Sequence, residues 1–223
     1  MAKVIGISGI ARSGKDLFTT VAQDILEKEY KLKTERRALA YELKSDLQEL
    51  IHNKTGIDVF TEDTALKNII RPLLVAYGDV MRKTSAGKYW TQKMEKHVAK
   101  SKADIFFITD IRYDVYPEDE CTWLQYKQAG KLIHVTRYQL SQAPSKRRVT
   151  TAKPVKIYEA APNEHELFND PKVKKRSDYS FEWEDMSSRY KTKEELLECT
   201  YIRDEVKKAL TSIGLIAKKN ILS

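Results

Sequence analysis

The sequence predicts an α/β protein in which helices cover both faces of a central, mostly parallel sheet, three layers in all. Three observations predict it. The short apolar runs "KVIGIS" (Lys3–Ser8), "DIFFITD" (104–110) and "KLIHVTR" (131–137) read as buried parallel strands. Between them lie segments whose apolar residues recur at helical spacing. The first strand runs into a glycine turn, "GISGIARSGKD" (6–16), that opens the first helix. Strand, glycine turn and helix in that order are the setting of a phosphate-binding loop.

Each element has its own signal. Leu17, Phe18, Val21, Ala22, Ile25 and Leu26 make one helix face, ending near Tyr30. Leu39, Leu43, Leu47 and Leu50 predict a second helix over 38–52. A helical region follows from Thr61. Pro72 is expected to break or restart it, because proline lacks an N–H and clashes with the preceding turn. "KYWTQKMEKHVAK" (Lys88–Lys100) reads as one more helix. Pro117, followed by Glu118, Asp119 and Glu120, predicts a helix start with acids at the positive dipole end, and Gly130 its stop. Strand, helix and strand of these lengths imply a right-handed crossover. "YSFEW" (179–183) alternates as a strand does. Thr192 and Glu195 form a capping-box pattern before a last helix over 193–213, ended by Gly214.

The 223 residues suit a single domain, 1–223, with an insertion at 138–176. From 137 to 176 the chain holds four of its six prolines and ten of its 40 basic residues, so the insertion is expected to be a lid or mobile loop. In its "SKRR", Arg147 and Arg148 would reach a transferring phosphoryl group from a lid; in a plain basic loop they would be solvated. The net charge of +8 calls for an anionic partner, nucleic acid or a phosphorylated small molecule. No aromatic-studded basic strand or recognition helix is evident, which disfavours nucleic acid. Cys121 and Cys199 lack metal or redox spacing and read as reduced thiols of a cytoplasmic protein. No apolar stretch reaches membrane-spanning length, and the N-terminus lacks a signal-peptide pattern, so no membrane partner is expected.

A phosphate loop works because consecutive backbone N–H groups point inward, toward a helix start whose dipole also favours anions. Gly9 and Gly14 allow that path, Ala11, Arg12 and Ser13 lie along it, and Leu17 follows in the helix. Lys15 puts a point charge on the outer phosphates. Asp16 stands where Ser or Thr is usual. Two readings are open for it: a hard oxygen ligand for Mg²⁺, or a first-turn acid favoured by the helix dipole.

"ITDIRY" (108–113) puts Asp110 and Arg112 at the carboxyl end of a central strand, where ligands of open α/β sheets bind. Asp110 could hold Mg²⁺ through water, and Arg112 could clamp a phosphate with its planar fork. The plain alternative is a structural Asp–Arg pair. Lys44 and Arg71 are either acceptor-phosphate ligands or solvated helix positions. Trp90 either stacks on a base or belongs to the core. The four histidines show no metal-ligand spacing.

In this order, "GIARSGKD", "IIRPLLVAYGDVMR", "KYW" and "FFITDIRY" resemble the deoxynucleoside monophosphate kinases of tailed bacteriophages, members of the P-loop nucleotide kinase group. That family likewise has Asp after the loop lysine, an arginine-bearing helix, a Trp or Tyr-Trp pair and a strand ending near "TD(V/I)R". The resemblance covers most of residues 1–137. "VAYGD" stands where the family has "QxxGT", and "PNEHE" (162–166) is a loose counterpart of a late His-Pro-Ser-Glu-like stretch. The resemblance implies a P-loop kinase fold and transfer of the ATP γ-phosphoryl group to a deoxynucleoside monophosphate. Mg²⁺ as cofactor, often a homodimer, and the cytoplasm, that of a host if phage-encoded, go with it. It places Gly9, Ala11, Arg12, Ser13, Gly14, Lys15, Asp16 and Leu17 on ATP. Arg71, Trp90 and Arg112 fall near the acceptor, where Lys44 and Asp110 join them. Lys15, Asp16 and Arg112 would carry the chemistry, with Asp16 and Asp110 at the metal. The alternatives are a kinase of another phosphorylated acceptor, such as dephospho-coenzyme A, or a nucleotide-gated nucleic-acid-binding module.

Overall fold

Pairing across one mixed sheet organises the chain. The computed structural model describes residues 2–141, 154–186, 188–190 and 192–217. Strands β1 (Lys3–Ser8), β2 (Thr34–Arg37), β3 (Ile105–Ile111), β4 (Lys131–Leu140) and β6 (Tyr179–Glu184) are parallel. β5 (Lys156–Tyr158) runs antiparallel to the end of β4. The spatial order is β2-β3-β1-β4, and both β5 and β6 pair with β4.

Alternation along each strand decides what the two faces bury. Ile5, Ile7, Ile105, Phe107, Ile133, Val135, Phe181 and Trp183 face one side. They pack there with Phe18, Val21 and Ile25 of α1 (Lys15–Tyr30) and Ile202 and Val206 of α8 (Thr200–Ser212). Val4, Phe106, Ile108 and Leu132 face the other side. Their partners are Leu39 of α2 (Leu39–Thr55), Trp90 and Met94 of α4 (Lys88–Lys100) and Val173 of α6 (Glu164–Arg176). The result is a mostly parallel mixed sheet flanked by helices on both faces, compatible with three layers. α3 (Thr64–Thr84) joins α2 through a satellite cluster of Leu47, Ile51, Val59 and Ile70.

Local signals were overridden in several places. Pro72 does not break α3, which runs unbroken from Thr64 to Thr84. Both Pro72 and Asn68, whose carbonyl loses its partner, are exposed, so water can satisfy that carbonyl. The helix expected after Pro117 is a short α5 (Glu120–Thr122) that widens into a π-helical turn, Trp123–Lys127. That turn buries both Trp123 and Leu124, and Leu124 lies against Gly6 of β1, where an added Cβ would sit 2.4 Å from its Cδ2. The last helix is two: α7 (Lys193–Glu198), started by the expected Thr192–Glu195 capping box, and α8, separated at extended Cys199. β2 and α6 had no clear sequence signal. Of the expected lid, 138–176, the described part is largely ordered as the end of β4, β5 and all of α6. Arg147 and Arg148 lie outside the described residues. Among the described residues, no helix is long and apolar enough to cross a membrane.

The chain leaves β1 through α1 toward β2 on one side. It leaves β4 toward β6 on the other. β1 and β4 are neighbours, so the crevice beyond their carboxyl ends is the topological switch point of the sheet. The glycine turn lies there.

Candidate functional site

The turn from Gly9 to Gly14 is shaped by what lies beneath it. Gly9 (φ 129°) and Gly14 (φ 89°) both adopt backbone angles that side chains avoid. Neither has room for a Cβ: one would meet the Val135 carbonyl oxygen at 2.2 Å, the other the Trp183 ring at 2.1 Å. Trp183 of β6 also donates its indole N–H to the Ser13 carbonyl at 2.9 Å. Sheet strands β4 and β6 thus form the floor of the loop. Arg12, at its exposed crest, has φ 66°, a left-handed angle that is uncommon outside glycine. Ser13 is fully buried, and its hydroxyl has no protein partner.

Lys15 begins α1, and its ammonium folds back over the loop. It donates to the Gly9 carbonyl at 2.7 Å and the Ile10 carbonyl at 2.6 Å. The residue is only 9% exposed. Burial, then the nearby Arg112, pull its pKa down to about 8, against the opposing pull of Glu166, Asp16 and Asp110. A lysine pKa lowered on folding means that the unfolded chain binds the proton more tightly. The resulting cost to stability is present below about 8 and is relieved as pH rises toward the unfolded value. The full interval corresponds to roughly 3 kcal/mol. The parent protein should therefore gain stability relative to Lys15→Met between pH 8 and pH 10. Parallel melting curves for the two proteins over that range would exclude a depressed lysine.

Asp16 projects from the first turn of α1 with 82% of its side chain exposed and is salt-bridged to Arg36 at the end of β2. Asp110 turns the other way. Its Oδ1 accepts the Leu39 N–H at 2.6 Å and its Oδ2 the Ala40 N–H at 2.8 Å, so it anchors the start of α2, which has no side-chain cap of its own. Burial raises the Asp110 pKa, and these amides and Arg112 oppose the rise. A Mg²⁺ ion fits Asp16 better than Asp110. Asp16 offers an exposed carboxylate beside the loop with only one oxygen engaged, by Arg36, whereas both Asp110 oxygens already hold backbone amides. Among the described residues no group of three or more His, Cys, Asp or Glu could hold a metal.

Arg112 follows β3. Its backbone N–H is fixed by Glu120 Oε2 at 2.6 Å. Its guanidinium pairs with Glu166 of α6, Nη1 to Oε1 at 2.7 Å, rather than with Asp110. The other Glu166 oxygen accepts the Ala11 N–H of the loop at 2.6 Å. Loop, lysine, Arg112 and Glu166 therefore form one cluster at the switch point.

The remaining expected residues lie apart from that cluster or have other tasks. Trp90 is 3% exposed in the core; its indole N–H donates to the Gly78 carbonyl at 3.3 Å, and Tyr77 and Tyr89 pack edgewise on it. It has no open face for a base. Lys44 is half-buried, with its ammonium 5.6 Å from the Phe60 ring centre. Arg71 is exposed on the flank of α3 that Val75 and Arg82 share by helical spacing. Arg82 is the more telling neighbour. It is buried, stacks 3.1 Å from the Tyr113 ring centre, and faces Asp119 at 3.5 Å and Glu120 at 3.7 Å. Burial raises both acids, Glu120 to about 8. This ion cluster holds the chain just after Arg112 in place.

Sequence reasoning gave no role to Glu166, Trp183 or Arg36. Trp183 left a trace in the alternation of "YSFEW" and Glu166 one in the loose counterpart "PNEHE"; Arg36 left none, and the contacts of all three are with residues distant in sequence. No protein-family model matches the chain, and no curated protein matches it.

Proposed function

We propose that the chain is an ATP-dependent kinase of deoxynucleoside monophosphates, built on the P-loop kinase fold. One observation carries the reading: a glycine loop at the switch point, with Lys15 folded over it and Arg112 facing it from the next strand. The Ala11 N–H and the Arg112 guanidinium converge on a seat that already attracts a carboxylate, and Lys15 is close enough to feel its charge. The resemblance of residues 1–137 supplies the acceptor class.

The residues would act by position and charge. The amides at the start of α1 bind the inner phosphates of ATP, and Lys15 exchanges its two carbonyl contacts for oxygens of the outer phosphates. Arg112 bridges the outer phosphoryl group and the acceptor, where a planar fork can hold two oxygens at once. The acceptor phosphate oxygen attacks the γ-phosphorus, the bond from that phosphorus to the β,γ-bridging oxygen breaks, and ADP leaves. A monophosphate oxygen needs no general base. Mg²⁺ bound beside Asp16 would neutralise phosphate charge.

The deciding experiment is an ADP-release assay with deoxynucleoside monophosphates, dephospho-coenzyme A and DNA as separate acceptors. Release with a deoxynucleoside monophosphate alone is expected; release with neither it nor dephospho-coenzyme A would remove the kinase reading. Asp16 has its own test. Asp16→Asn should shift the Mg²⁺ titration of activity to higher concentration, with metal-free ATP affinity little changed. Superimposable titrations would return Asp16 to its role as a first-turn acid paired with Arg36.

A further inference from the structure

Glu166 is an anion inside an anion site. It lies in the first turn of α6, where its own N–H donates to the Asn163 side chain at 2.9 Å. Its side chain is 12% exposed. One oxygen accepts the Ala11 N–H at 2.6 Å and the other the Arg112 guanidinium at 2.7 Å. Lys15 is near enough for this carboxylate to support its charge. Carboxylate and phosphoryl groups are recognised by the same donors, and a phosphoryl group offers more charge and one more oxygen.

The rest of α6 does not depend on that contact. Farther along the helix, Val173 is fully buried in the core and Asp170 meets His134 at 3.0 Å. At its end, Arg176 pairs with Asp114 at 3.2 Å. The first turns bury little: Leu167 is 66% exposed and Phe168 64%. The helix is thus anchored at its far end, and its near end is tied to the loop through polar contacts of Glu166.

We propose that Glu166 is a built-in competitor for the transferred phosphoryl group: it fills the seat between the Ala11 amide and Arg112 in the free protein and leaves it when the γ-phosphoryl group of ATP arrives. The proposal rests on the reading of the loop as an ATP site and deepens it. The inner phosphates belong at the amides that open α1. The seat is made instead by Ala11, early in the loop, and Arg112, just after β3, and is the one left for the terminal phosphoryl group. Until it is displaced, the carboxylate keeps Arg112 from binding a stray anion. Its displacement lowers the apparent affinity for ATP by the fraction of molecules in which the seat is closed. ADP, which has no γ-phosphoryl group, can bind with the seat still closed.

The test is calorimetric binding of ATP and of ADP to the full chain and its variants, without Mg²⁺ or acceptor. Glu166→Gln keeps the shape and removes the charge. It should bind ATP roughly tenfold tighter or better, the scale of one charged hydrogen bond, and ADP within about twofold of the parent. Glu166→Ala should move in the same direction, which guards against a folding artefact in either variant, and melting curves accompany both. Unchanged or weaker ATP binding in both variants, with ATP binding by the parent intact, overturns the competitor while leaving the loop. In a companion steady-state assay with Mg²⁺ and acceptor, a fall in kcat at unchanged ATP affinity would make Glu166 a group that acts in the transfer step, and also overturns it. Absence of ATP binding in the parent and all variants overturns the loop reading and this proposal together.

Discussion

Replacing Lys15 with alanine is expected to lower kcat/KM for phosphoryl transfer roughly 10³-fold or more, the upper scale for losing one preorganised charge-stabilising donor. The fold should survive. Lys15 is buried, and its ammonium is held in a position that depresses its pKa to about 8. Removing it leaves the buried Gly9 carbonyl and the partly buried Ile10 carbonyl without that donor, and also removes a desolvated charge. These effects oppose each other. The check is a steady-state assay paired with a melting curve. Parent-like turnover in Lys15→Ala would take the loop out of the mechanism. Lost turnover with a collapsed melting transition would show that the lysine is a structural clasp for the turn.

The second large effect is at Arg112. Arg112→Lys should reduce kcat/KM for the deoxynucleoside monophosphate by roughly 10²–10³-fold, because an ammonium cannot hold two oxygens in one plane. The backbone at this position is fixed by Glu120 and by the Arg82 cluster behind it, so the change is confined to the side chain. ATP affinity should move little. The lost guanidinium contact weakens binding, while the loosened hold on Glu166 makes its displacement easier. Separate titrations of ATP and of the monophosphate decide the matter. A joint loss of ATP affinity and thermal stability, with no selective effect on the acceptor, would make Arg112 a structural partner of α6 and no more.

The parts of the site that could be read in advance are those whose signal is local. β1, β3 and β4 are covered on both faces, so their sequences are near-continuous apolar runs. The loop is legible because its glycines answer to backbone geometry within six residues and its lysine reaches back only to Gly9 and Ile10. Arg112 is legible as the residue after a buried strand. Where the signal was ambiguous, packing decided. Trp90 on an amphipathic helix could face a ligand or the core, and the contact with Gly78 across α3 puts it in the core. Asp110 could face a metal or a helix start, and the unfilled cap of α2 takes it.

By itself the sequence determined the α/β class and the strand–loop–helix at the amino end, because each follows from periodicity or backbone demands over a few residues. Only the tertiary structure decided the strand order, the edge strand β2, the helix α6 and the seat of Glu166. "TERR" becomes a strand because β3 offers it a ladder of backbone partners. Residues 164–176 become a helix because Asn163 caps them and Val173, Asp170 and Arg176 find partners elsewhere in the fold. Glu166 meets Ala11 across 155 positions of chain, and no local pattern encodes a contact whose two halves are brought together only when the sheet has formed between them.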